Sequence, residues 1–361
     1  MHVNGLLLAI ALSAAHLVGA MPLVERALPP NAPYSVPQST VQKAITCPNG
    51  IKKQRGGIIL LVHGTGSKGS ESWGSGPYIK VLPTQGKKYD VCWIDLPQRS
   101  LVDAQISAEY VARAVSILAP QSSTGKVSII GHSQGAGVNP QWAITFWPSI
   151  RSLISQYIAL APDFKGTTQG LLLCNPVAGG ALPTCNPSLW QQTAGSKYLA
   201  AQNSPKSGSG RTALLPTSSI YTLTDEIVQP TLPRLNASAY LPGASVFALQ
   251  DINVCGPLHA ADHFSMVVDT AAYGLVRATL ENGAPLKDLS KFDKTFCLIN
   301  KDAPKLDFSA VPGLLQGVLA DLIGIGTGIK SASEPTLQPY VCSRGFATNC
   351  GPRFKYPNPI A

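Results

Sequence analysis

Short apolar runs alternate with longer, helically spaced segments along most of the chain. Gly57-Ile58-Ile59-Leu60-Leu61-Val62 is continuously apolar and runs into the glycine-rich His63-Gly64-Thr65-Gly66. A run without polar alternation suits a strand covered on both faces, as in a parallel sheet. Further strands are predicted at 89–94, at Val127-Ser128-Ile129-Ile130, and at 156–160, 219–223 and 245–249. Between them, 102–118 sets Ile106, Tyr110, Val111, Ala114 and Leu118 along one side of a helix, and another helix is predicted at about 266–280. This alternation indicates an α/β chain with a mostly parallel sheet and helices on both faces. No linker, repeat or composition break divides 41–300, so 41–361 is expected to be one domain.

Two segments depart from the pattern. Residues 166–216 lack clear strands and hold Cys174 and Cys185, which suggests a small cap or lid inserted above the sheet. Residues 311–329 are strongly apolar, with Leu315, Leu319, Leu322 and Ile323 at helical spacing. Asp321 and the interspersed glycines argue against a membrane span. The segment reads equally well as a helix packed on the core or as the apolar wall of an acyl pocket, with Leu315 and Leu319 lining it.

The start of the chain has its own pattern. Residues 4–20 are apolar and uncharged and end in Val18-Gly19-Ala20, a composition that predicts a cleaved signal peptide over 1–20 and an extracellular protein. Residues 21–40 are rich in proline and polar side chains and read as an N-terminal arm or a short propeptide, with Arg26 as a processing point.

Composition adds limits. Hydrophobic residues make up 45% and charged residues 13%, which is globular and far from disorder. The formal charge of +9 is spread thinly, with no basic stripe or aromatic motif of a nucleic-acid binder. A mild attraction to anionic lipid surfaces is compatible with it. The 8 cysteines of an exported chain point to disulfides. Sequence leaves the pairing open, and sequential pairing is the working expectation: Cys47–Cys92, Cys174–Cys185, Cys255–Cys297 and Cys342–Cys350. No C-x-x-C occurs, so neither a metal nor a redox cofactor is expected. Asn236-Ala237-Ser238 is a glycosylation sequon.

The chemistry centres on Gly131-His132-Ser133-Gln134-Gly135, a G-x-S-x-G turn after a predicted strand. Such a turn lifts a serine hydroxyl above the carboxyl end of the sheet, and its glycines remove side chains that would clash. A serine needs a histidine base and an acid to orient it, in the chain order serine, acid, histidine for this architecture. That order leaves His259 and His263. Asp262-His263, just before the last predicted helix, is the better placed, and His259 reads as a supporting or surface residue. Asp163, Asp225, Glu226 and Asp251 all follow strand ends, and the penultimate strand favours Asp225. Asp163 reads as a buried structural carboxylate or a pocket-lining residue. An oxyanion would be held by the N–H of Gln134 and by Thr65 in the loop after the first long strand. His63 is expected to support that loop.

Several runs resemble the secreted fungal lipases typified by Candida antarctica lipase B. They are Val62-His63-Gly64-Thr65-Gly66, Ser133-Gln134-Gly135, Trp147-Pro148-Ser149-Ile150-Arg151-Ser152, Ala161-Pro162-Asp163-Phe164-Lys165-Gly166-Thr167, Trp190-Gln191-Gln192-Thr193, Thr224-Asp225-Glu226-Ile227-Val228-Gln229-Pro230, Val254-Cys255-Gly256-Pro257-Leu258 and Asp262-His263. The resemblance implies an α/β-hydrolase fold and a Ser133, Asp225, His263 triad. It also implies an oxyanion hole at Thr65 and Gln134, ester hydrolysis without a metal, and the pairs Cys47–Cys92 and Cys255–Cys297. The chain departs from that pattern at His132, where a bulky aromatic is expected at the pocket wall. It departs again at Pro140, which predicts a kink. Cys342–Cys350 would be a substitute local bridge, and Cys174–Cys185 an added staple on the cap.

The function expected from all this is a monomeric secreted lipase that cleaves acylglycerols or other esters at a lipid–water interface. The same-class alternative is a carboxylesterase or transacylase on short soluble esters. A non-catalytic binding protein on a hydrolase scaffold is the distant one, because such proteins usually lack part of a triad.

Overall fold

A computed structural model describes residues 28–174, 184–204, 212–298 and 329–353. The predicted signal peptide, Leu315 and Leu319, and all but the last residue of the apolar 311–329 segment lie outside these residues. Seven strands form one sheet: β1 (Ile45–Thr46), β2 (Ile58–Val62), β3 (Asp90–Ile94), β4 (Val127–His132), β5 (Ile154–Leu160), β6 (Thr217–Tyr221) and β7 (Ser245–Ala248). Their spatial order is β1-β3-β2-β4-β5-β6-β7. Every pairing is parallel except the antiparallel β1–β3 edge.

The strands β2 to β5 are buried along nearly their whole length because both faces are covered. Ile58, Leu60 and Val62 enter one core with Val127, Ile129 and the helices Ala104–Leu118 and Asn139–Phe146. Ile59 and Leu61 point the other way, to a core with Ile130, Ile158, Leu160 and the helix Thr270–Asn282. This is the two-residue period of a strand read into two layers.

Helix boundaries follow their caps. The helix predicted at 102–118 begins at Ala104 because the Asp103 carboxylate accepts from Gln105 N at 2.9 Å. The last long helix starts at Thr270, later than predicted, because Asp269 caps it by accepting from Ala272 N at 2.8 Å. The strand predicted at 219–223 ends at Tyr221, where the Thr222 hydroxyl leaves the ladder to bond Ala261 O at 2.8 Å.

The arm at 28–40 packs on the body of the molecule. Ala32 and Val36 are buried in the first core, and Ala32 N donates to Phe146 O at 2.7 Å. Ser35 N and Val36 N both donate to the Glu109 carboxylate, at 2.7 and 2.6 Å. The helix Ala104–Leu118 is therefore buried on the side where Glu109 stands, a polar position that its own spacing would leave in solvent. A helix that the sequence did not signal, Gln38–Ala44, then leads into β1. Sequential pairing holds for all of the cysteines: Cys47–Cys92, Cys174–Cys185, Cys255–Cys297 and Cys342–Cys350.

Candidate active site

The turn after β4 is built on close main-chain approach. Ser133 adopts φ 57° and ψ −129°, a left-handed conformation that L-residues avoid. Its N–H is held by Leu160 O at 3.0 Å. A Cβ on Gly131 would lie 1.9 Å from Gly135 O, and one on Gly135 would lie 2.2 Å from His63 O. Both positions therefore require glycine, and the turn is pressed against the loop after β2.

Pro140 breaks the following helix as expected, into Gln134–Gly137 and Asn139–Phe146. Proline supplies no N–H to the carbonyl four residues earlier, Ala136 O. The Tyr157 hydroxyl donates to that oxygen instead, and Gln202 Nε2 donates to Gly137 O at 3.3 Å. The break is thus satisfied from β5 and from the segment between β5 and β6.

Asp225 follows β6 and His263 follows β7, and the two meet: His263 Nδ1 is 2.8 Å from Asp225 Oδ2. The other carboxylate oxygen of Asp225 accepts from Ile227 N at 2.9 Å and Val228 N at 2.6 Å, which locks the carboxylate. His263 N in turn donates to the Glu226 carboxylate at 3.1 Å. Burial pushes the His263 pKa down, but the charge and hydrogen bond of Asp225, with the charges of Glu226 and Asp163, lift it above the ordinary value.

Ser133 and His263 both line one cavity, together with Gly64, Thr65, Ser67 and His132. Thr167, Gly170, Leu189, Gln192 and Val228 line it as well. Several of these come from the segment between β5 and β6, which carries the helices Gln169–Cys174 and Pro187–Gln192 joined by the Cys174–Cys185 bridge. Thr65 Oγ1 lies 2.7 Å from Gln134 Oε1 and 3.1 Å from Gln192 Oε1. Gln134 opens its helix, so its N–H has no acceptor within that helix.

The remaining candidates separate. His63 is fully buried, takes Leu96 N at Nε2 (2.9 Å) and reaches Gly64 O through Nδ1 (2.8 Å), so it braces the loop that carries Thr65. His259 pairs with Asp269 at 2.9 Å, outside the cavity lining. Asp163 does not line the cavity, contrary to the pocket role considered for it. It is buried under the Ser133 turn, where a Cβ on Gly137 would be 2.4 Å from Asp163 Oδ1. That missing side chain lets the carboxylate pack beneath the helix, and burial raises its pKa to about 7. Sequence reasoning had not singled out Ser67, Thr167, Leu189, Gln192 or Val228. Thr167, Gln192 and Val228 stand within runs that carried the family resemblance, which was the available signal.

A serine on a strand–turn–helix bend over a mostly parallel sheet, with an aspartate after β6 and a histidine after β7, has the arrangement of an α/β-hydrolase. No protein-family model matches the sequence. The chain is 35% identical to "Lipase B" of Pseudozyma antarctica over 335 residues, covering 91% of this chain and 92% of that one. It therefore belongs to the lipase B family. The structure is also similar to the crystal structure of Aspergillus fumigatus lipase B, with TM-score 0.74, 30% identity, and coverage of 87% of this chain and 74% of that one.

Proposed function

We propose that the protein is a secreted serine ester hydrolase of the triacylglycerol lipase type. The observation that carries this reading is the 2.8 Å Asp225–His263 pair at the edge of a largely apolar cavity that Ser133 also lines. The two relatives, both lipase B proteins, support the same class.

In this reading Ser133 attacks the acyl carbonyl while neutral His263 takes its proton. His263 then returns the proton to the leaving alcohol, and water repeats the cycle on the acyl-enzyme. Asp225 holds the imidazole with Nδ1 protonated and stabilises its charged form. The oxyanion is met by the N–H of Gln134 and by Thr65. The Thr65 hydroxyl has one proton and two amide oxygens within reach, so its use at the oxyanion requires it to turn from Gln134 and Gln192. The described part of the 166–216 insertion acts as the cap; the pocket role expected of Leu315 and Leu319 falls outside the described residues. The enzyme works as a monomer at the lipid–water interface, with Asn236, exposed in the folded chain, as its glycosylation site.

Ser133→Ala is expected to lower turnover of tributyrin by about 10⁴-fold or more and to abolish labelling by a fluorophosphonate. Full activity in that variant would sink the assignment. A rate on tributyrin emulsion that exceeds the rate on dissolved short esters distinguishes a lipase from a carboxylesterase.

A further inference from the structure

The residue before the nucleophile is a histidine whose proton has a fixed place. His132 Nε2 lies 2.8 Å from the carbonyl oxygen of His263. A carbonyl can only accept, so Nε2 carries the hydrogen. Burial, reinforced by the nearby His263, pushes the His132 pKa down to about 3, so the ring is neutral wherever a histidine base works. A neutral ring protonated at Nε2 leaves a lone pair on Nδ1. That atom lies on the Gly64 side of the ring, 3.5 Å from where a Cβ on Gly64 would stand. Gly64 and His132 both line the cavity, and the His132 ring makes no other hydrogen bond among the described residues.

The location assigns a side of the substrate. The His132 and His263 ring centres are 4.8 Å apart. The leaving alcohol oxygen must come within hydrogen-bond reach of His263 to be protonated. His132 therefore lies beside the alcohol half of the ester. In a mostly apolar cavity a lone pair stripped of water is unfavourable unless a donor replaces the water.

We propose that His132 is a specificity-determining residue whose Nδ1 accepts a hydrogen bond from a free hydroxyl on the alcohol half of the ester. The site then favours esters of polyols, such as partial acylglycerols and glycol esters, over simple alkyl esters. The inference rests on the ester-hydrolase reading above and narrows its substrate class.

Three dissolved esters test it: 2-hydroxyethyl, 2-methoxyethyl and propyl butyrate. The methoxy ester keeps the electron-withdrawing oxygen but has no donor. The wild-type enzyme is expected to favour the hydroxyethyl ester over the methoxyethyl ester by about three- to tenfold in kcat/KM, the range of one net hydrogen bond. In His132→Phe, or in His132→Leu if the larger ring does not fold, that preference is expected to fall to about one, with propyl butyrate turnover as the check of a competent enzyme. Equal rates for the three esters in the wild type overturn the proposal, as does a preference that survives in a folded His132 variant. A wild-type enzyme that leaves propyl butyrate intact counts against the hydrolase reading instead.

Discussion

Two histidine–aspartate pairs occur in this molecule with nearly the same separation but through different ring nitrogens, Nδ1 of His263 and Nε2 of His259. His263 meets Asp225 at 2.8 Å, and His259 meets Asp269 at 2.9 Å. In both, the second carboxylate oxygen accepts from backbone N–H groups: Ile227 and Val228 for Asp225, Ala272 for Asp269. The surroundings differ. His263 lines the cavity with Ser133, whereas His259 and Asp269 brace the start of the helix Thr270–Asn282 outside it. A charge-supported imidazole can therefore stand away from the cavity as readily as on it, and its place in the fold separates the two pairs.

Breaking each pair separates the two roles. The largest effect is expected from Asp225→Asn, which removes the charge behind His263: kcat on tributyrin should fall about 10⁴-fold while the fold persists. Its pH profile sharpens the point. His263 must be neutral to act as base, and its pKa is raised, so the acid limb of wild-type kcat/KM should lie above pH 6.5. In Asp225→Asn the lowering by burial is unopposed by that charge, and the residual activity should extend to lower pH.

Asp269→Ala should do the reverse. Loss of the helix cap is expected to cost about 1–2 kcal/mol in urea unfolding, with turnover per folded molecule retained. A turnover loss comparable to that of Asp225→Asn would place the second pair in the chemistry. The smallest effect concerns His259. Its bond to Asp269 is the main cause of a raised pKa, so its stabilisation is full below pH 6.5 and is lost as pH rises through the folded value. His259→Gln should therefore make the fall in Tm between pH 6 and 9 shallower, by about a degree. An unchanged slope would show that the pair does not titrate in this range.

Much of this architecture was legible in the sequence because it depends on local pattern. Buried parallel strands are covered on both faces, so Ile58–Val62 announced itself as an uninterrupted apolar run. The two-residue β1 edge and the Gln38–Ala44 helix gave no such signal, because their stability comes from contacts with the rest of the chain. Glu109 shows the same limit: its burial is explained by Ser35 and Val36, 74 and 73 residues away. The choice between Asp163 and Asp225 also turned on space. Both follow strand ends, but Asp163 packs against Gly137, beneath the Ser133 turn.

The sequence by itself determined the elements and the chemistry-bearing types: an α/β alternation, glycines flanking Ser133, and acids and histidines in the required order. These are properties of spacing, and spacing is local. Tertiary structure alone decided which neighbours share a cavity. It placed His263 on the cavity and His259 outside it, Asp163 under the Ser133 turn, and Gln192 against Thr65 across 127 residues of chain. It also fixed the proton of His132, because a ring's tautomer is set by the atom it faces.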